Sequence, residues 1–237
     1  MTNRTIEPEQ YRAAKVVGFF YLFTMATAIF GEMYVRGQLI VPGDAVQSAA
    51  NIAASERLFR LGVVSDLITS IGVVILVWAL YIVLKPINKN LALLATFLRL
   101  VEISIAAASI VNSIAALRLL SNAAYLQAFD TQQLQVLARL SISEYGFGLQ
   151  IVFVFLGLGS TVFSYLWFKS RYIPRALSAF GIFGSVMLTT GGLAIMVFPS
   201  LEHTLELSYM MPLGIFEITL GLWLLFKGVR VPVVAPP

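Results

Sequence analysis

The chain has 237 residues, 59% of them apolar and 12% charged, whereas soluble domains carry about 25% charged residues, so a soluble single domain is excluded. With no cysteine and a single His203, it also lacks the means for disulfides, thiolate catalysis, iron–sulfur ligation, palmitoylation or an imidazole metal cluster, and no cofactor is expected. The formal charge of +4 comes from Lys and Arg scattered between apolar blocks rather than gathered on one face, which speaks for membrane topology and against a nucleic-acid partner.

A bilayer core about 30 Å thick takes roughly 20 mostly apolar residues per helical crossing. Residues 1–13 read as a cytoplasmic tail, and residues 14–227 as one domain of six such blocks. The first block, 14–35, contains Ala26-Thr27-Ala28, which resembles a leader cleavage site. Its apolar run is longer than a leader core and its flank carries Glu7 and Glu9, so a retained span is expected. The segment 36–60 is long enough to need structure of its own. There Pro42-Gly43-Asp44 turns the chain, and Asp44 with Gln47 makes a capping-box-like pair that predicts a helix over about 45–57. The second block, 61–84, stops at Lys85-Pro86, and the third, 91–117, ends at Arg118. Asp130 and Gln133 repeat the capping pair before Leu134, Leu137 and Ala138 and predict a second short helix. The fourth block, 145–168, meets Lys169 and Arg171; the fifth, 176–198, meets Pro199; the sixth, 210–226, meets Lys227, leaving 228–237 as a disordered cytoplasmic tail. Lipid satisfies no backbone polar groups, so each block is helical. The predicted fold is all-α: an integral membrane bundle of six transmembrane helices, with two short amphipathic helices on the outer face.

With the N-terminus inside, Arg4, Arg12, Lys15, Lys85, Lys89, Lys169, Arg171, Arg175, Lys227 and Arg230 face the cytoplasm. Arg36, Arg57, Arg60, Arg118 and Arg139 face outward, and Arg99 lies within a span. This bias, carried by short inner loops, predicts a cytoplasmic (inner) membrane protein with both termini cytoplasmic. Tyr11 and Tyr172 fall near the inner interface and Tyr34, Tyr145 and Tyr209 near the outer one, as aromatic belts would.

Charges inside spans each cost about 2.5–3.5 kcal/mol at the midplane and need a partner, water or a use. Arg99 lies about 12 Å and Glu102 about 16 Å into the third span, three residues apart on one face, and Glu217 about 10 Å into the sixth. One cation faces two carboxylates, so one acid must be protonated, hydrated or cation-bound. Glu102 or Glu217 then reads as a proton- or cation-linked site with Asn112 and Gln150 as polar lining. The plainer reading is a clamp of Arg99, Glu102 and Glu217 between spans three and six. A second set, Glu32, Arg36, Arg57, Arg60, Asp66 and Glu144, lies at the outer end. It reads either as ion pairs fixing loops to the bundle or, with Asp44 and Asn51, as a polar vestibule under the 45–57 helix, whose Gln47, Asn51 and Ser55 share a stripe. Gly157, Gly159 and Thr161, and Gly181 with Ser185, supply small residues for helix packing, and Gly191-Gly192 marks a weak bend signal. His203, beside Glu202 and Glu206, reads as a solvated loop residue, not a metal ligand.

The stretch Val35-Arg36-Gly37 to Leu39-Ile40-Val41-Pro42-Gly43-Asp44, Ala50-Asn51-Ile52 and Leu58-Phe59-Arg60-Leu61-Gly62 resembles a prokaryotic six-span family, domain of unknown function 4386. So do Leu84-Lys85-Pro86-Ile87-Asn88, Arg99-Leu100-Val101-Glu102, Tyr125 to Asp130, Tyr172-Ile173-Pro174-Arg175 and Leu222-Trp223-Leu224-Leu225. The resemblance implies a multi-pass prokaryotic membrane protein and supplies neither an activity nor catalytic residues. The sequence therefore favours a protein that binds, senses or transports a small apolar or cationic molecule. A lipid-modifying membrane enzyme and an accessory subunit without a ligand are the alternatives. The expected partners are the bilayer and a small apolar ligand or lipid; the oligomeric state is left open.

Overall fold

Each apolar block is a helix in the computed structural model, which describes residues 7–121, 123–205 and 208–230. Helix α1 (Pro8–Leu39) contains a π-helical segment, Phe30–Arg36. The others are α2 (Ala45–Ala54), α3 (Glu56–Leu84), α4 (Lys89–Leu119), α5 (Thr131–Ser170), α6 (Arg175–Val197), the short α7 (Leu201–Leu205) and α8 (Met211–Phe226), with a 3-10 turn at Ala124–Ala128. No strand occurs among the described residues.

Five helices, α1 and α3 to α6, are long and apolar enough to cross a membrane. Helix α8 is apolar but has 16 residues, about 24 Å at 1.5 Å per residue. The helices expose large apolar side chains in water-incompatible numbers, among them Ile71, Trp78, Phe97, Val111 and Phe183. A soluble protein does not carry such a surface, whereas lipid accepts it as readily as a core.

The capping signals start helices where expected. Asp44 Oδ1 accepts from the Gln47 N–H at 2.8 Å, and the buried Ser48 hydroxyl bridges Val41 and Asp44, so the Pro42-Gly43-Asp44 turn is pinned to α2. Helix α2 ends at Ala54, and Ser55 separates it from α3. At the second signal, Asp130 Oδ1 accepts from the Gln132 N–H at 3.1 Å, and the Gln133 side chain accepts from the Asp130 N–H at 3.3 Å. The helix that begins there does not stop: no Gly or Pro falls between Thr131 and Tyr145, and α5 runs on for 40 residues. The separate second outer helix is thus corrected to the opening turns of α5. Gly191-Gly192 likewise leaves α6 unbroken.

The chain divides into two compact units. The first gathers residues up to Met25, Gly72–Ile103 and residues from Gln150 onward. Its core includes Ala14, Val17, Leu80, Val83, Ala95, Leu166, Trp167, Leu220 and Leu224. Helices α6 and α8 pack together there. Helices α1 and α8 meet backbone to backbone: a Cβ on Gly18 would stand 2.8 Å from the Gly221 carbonyl oxygen, and one on Gly221 3.1 Å from that of Gly18. The second unit comprises Ala26–Ile71 and Ser104–Leu149, with a core of Val35, Ile52, Phe59, Ala116, Ala138 and Ile142.

Residues 7–13 and 228–230 of the tails read from sequence are among the described residues. Helix α1 begins at Pro8 with Gln10 and Ala13 buried, and Gly228 and Val229 are buried too. The remaining tail residues, 1–6 and 231–237, lie outside the described residues, as do Glu206 and the side chains of Glu202 and His203.

Candidate functional site

In the first unit, Arg99 and Glu102 on α4 form an ion pair, Nη1 to Oε2 at 2.8 Å, three residues apart and both almost fully buried. The contact lies off the line of a hydrogen bond, so Arg99 Nε and Nη1 and Glu102 Oε2 have no hydrogen-bond partner. Such groups cost about 1–3 kcal/mol each where no water reaches them. Glu217, half-buried on α8, lies within electrostatic range of Arg99 and Glu102. It makes no ion pair among the described residues. Tyr21 of α1, buried, lies within electrostatic range of all three. The Arg99 stem passes over Gly159 of α5, where a Cβ would stand 2.8 Å from Arg99 Cγ. The site therefore holds one guanidinium, two carboxyls and a phenol. The short ion pair lies within α4, and Glu217 of α8 interacts with Arg99 at longer range.

Gln150, the other residue read from sequence in this unit, accepts a hydrogen bond from the Tyr209 hydroxyl at 3.2 Å. Tyr21 escaped the sequence reading. Its signal is the buried stripe Ala14, Val17, Gly18, Tyr21, Thr24 along α1, a helical period that puts the phenol inward.

The second unit is organised around Arg36, also buried. Its guanidinium donates to Asp66 of α3 (Nη2 to Oδ2, 2.5 Å), to Glu32 one turn earlier (3.1 Å) and to Ser113 of α4 (3.4 Å). It stacks on the Tyr145 ring of α5 at 4.0 Å, and the Tyr145 hydroxyl donates to Glu32 Oε1 at 2.5 Å. Four helices thus converge on one cation whose hydrogen bonds and ring contact are both favourable.

The π segment makes this geometry possible. Residues five apart lie about 140° apart on an α-helix but close to one full turn apart where bonds run five residues back. The Gly37 N–H bonds to the Glu32 carbonyl in that way. Gly31 and Arg36 consequently face the same side, and Asp66 Oδ1 presses so close to Gly31 that an added Cβ would stand 2.8 Å from it.

The outer set divides between two ion-pair groups. Arg60 pairs with Glu56, four residues earlier and exposed, while Asp66 belongs to Arg36. Asn51 accepts from Gln47 and donates to the Leu39 carbonyl, tying α2 down, while the face of α2 that is buried is Ser48, Ala49 and Ile52. Glu144 is exposed beside the buried Tyr145; Asn112, read from sequence as lining of the deep site, is half-buried in the second unit beside Ser113, which bonds Arg36. The five tyrosines assigned to the belts differ in burial. Tyr11 and Tyr34 are exposed, but Tyr145, Tyr172 and Tyr209 are buried, their hydroxyls bonded to Glu32, Gln10 and Gln150.

Long apolar helices with a lipid-compatible surface and charged groups held inside them fit an all-helical membrane protein. The profile of a domain of unknown function (DUF4386) matches residues 16–228, nearly the whole chain, and the protein belongs to that family. No curated protein and no solved structure matches it.

Proposed function

We propose that this protein binds or transports a small cation, the proton included, at Glu217 beside the Arg99–Glu102 pair. One observation carries this reading: the cluster's only cation, Arg99, is held 2.8 Å from Glu102, while Glu217, on an apolar helix, has no ion pair among the described residues. A carboxylate in hydrocarbon needs a compensating charge, and a proton or a bound cation supplies it. The sensor reading uses the same site with a bound apolar cation. A lipid-modifying enzyme would need a nucleophile poised beside an acid or base.

The surrounding picture is six crossings in a prokaryotic cytoplasmic membrane, with both termini cytoplasmic. Helix α8 completes the count by local thinning of the bilayer around its 16 residues, at a cost of a fraction of a kcal/mol per Å. The excess of Lys and Arg in the short loops at the predicted inner side supports this orientation.

The test is labelling of the full-length protein with dicyclohexylcarbodiimide, an apolar reagent for protonated carboxyls, read by peptide mass spectrometry. Glu217 is expected to react, with protection by sodium or tetraphenylphosphonium. Glu217→Gln should accumulate in the membrane at wild-type levels and lose the protected adduct. Absence of reaction at Glu217 at every pH, or loss of the Gln variant from the membrane, overturns the proposal.

A further inference from the structure

Helix α8 ends in a left-handed turn. The N–H groups of Lys227 and Gly228 both donate to the Trp223 carbonyl, at 2.8 and 3.1 Å, and Gly228 takes φ +67°, which favours glycine. A Cβ there would also meet the Tyr11 ring at 2.9 Å. The turn folds the chain back over Trp223. Lys227 Nζ lies 4.5 Å from the Trp223 ring centre and the Arg230 guanidinium carbon 4.6 Å, and the Arg230 N–H fixes the strap by donating to the Tyr172 carbonyl at 2.8 Å. From α1, Lys15 donates to the Leu225 carbonyl and sits 5.5 Å from the Tyr11 ring centre.

Three cations therefore gather around one helix end, and none has a carboxylate partner among the described residues. The negative end of α8 accounts for Lys15 at the Leu225 carbonyl. It does not account for two exposed cations held on one indole. On the same two helices Phe19, Leu222 and Phe226 are exposed, Phe19 one turn after Lys15 and Phe226 next to Lys227 in sequence, so bare apolar side chains accompany the charge. Tryptophan and tyrosine are the residues that sit at headgroup level, and basic pockets between membrane helices accept phospholipid headgroups.

We propose that Lys15, Lys227 and Arg230, framed by Tyr11 and Trp223, bind the phosphate of an anionic phospholipid whose acyl chains lie along Phe19, Leu222 and Phe226. The site is separate from Glu217, and its test does not depend on any cation bound there.

Native mass spectrometry of the full-length protein, released from nanodiscs of phosphatidylcholine with a minor fraction of phosphatidylglycerol, reads the lipid retained. Phosphatidylglycerol is expected to be enriched on the wild type. Lys227→Gln with Arg230→Gln should lower its retention by about fivefold per neutralised cation. Lys227→Arg with Arg230→Lys should retain it, as should the control pair Lys85→Gln with Lys89→Gln. An equal loss in the control pair would show a diffuse field rather than a site. Equal retention of phosphatidylcholine, or displacement of the lipid by inorganic phosphate, would also overturn the assignment. Where the Gln pair does not accumulate, the wild type decides alone: retention must fall steeply as salt rises, and a flat salt response defeats the proposal.

Discussion

Gly31 is the residue on which the Arg36 network turns, because it is the missing side chain that admits Asp66. Adding one methyl there forces Asp66 Oδ1 off a position 2.8 Å away. Overpacking of this kind costs about 1–3 kcal/mol, and a displaced carboxylate weakens a buried pair as well. Gly31→Ala should therefore lower the thermal unfolding midpoint of the detergent-solubilised protein. Gly146→Ala is the matched control: nothing lies within 4 Å of its added Cβ, and a helical alanine is favoured over glycine by roughly 0.5–1 kcal/mol. Its midpoint should hold or rise; an equal fall in both variants would detach the network from Gly31. At this scale the sequence was half legible. Glu32 and Arg36 show themselves by their spacing of four, and the deep charges by their rarity. The partner of Asp66 did not show itself, because the nearest arginine in sequence, Arg60, competes on spacing alone while Arg36 is 30 residues away. The link from Tyr145 to Glu32 spans 113 residues and leaves no local trace.

At the scale of elements, start signals read well and stop signals poorly. Both Asp caps open helices at the expected residues, but the second begins a helix of 40 residues, about 60 Å and twice the hydrocarbon thickness. No Gly or Pro between Thr131 and Tyr145 ends it early, so a separate second outer helix rests on loop length and not on a breaker. The π segment is invisible to periodicity, since a single widened turn changes no composition. The cap on α2 gives a direct test. Asp44→Ala removes the acceptor of the Gln47 N–H and should cost about 1 kcal/mol. Hydrogen exchange of the α2 amides should accelerate roughly fivefold for that loss, with α3 unaffected. Unchanged exchange at Gln47 would mean that Ser48 and its bonds hold the turn alone.

For the whole molecule, the absence of cysteine makes topology unusually accessible to experiment. Single cysteines at Arg57 or Gln132 should react with a membrane-impermeant maleimide on intact cells, and those at Lys89 or Arg175 only after lysis. The reverse pattern would invert the orientation, and labelling at all four would break the six-crossing count. Hydropathy located the helices because lipid-facing segments are apolar all round. For the same reason it gave no inward face, and three tyrosines placed at the interface proved to be buried. The backbone contact of Gly18 with Gly221 bears on how the protein is made. Its two halves lie about two hundred residues apart, and at 5–20 residues per second α8 leaves the ribosome roughly ten to forty seconds after α1. For that interval α1 stands in the bilayer with its closest-packing face covered only by lipid, open to capture by another nascent chain or to degradation. Membrane assembly of this protein is thus a waiting problem, settled by whatever shields the first helix until the last arrives.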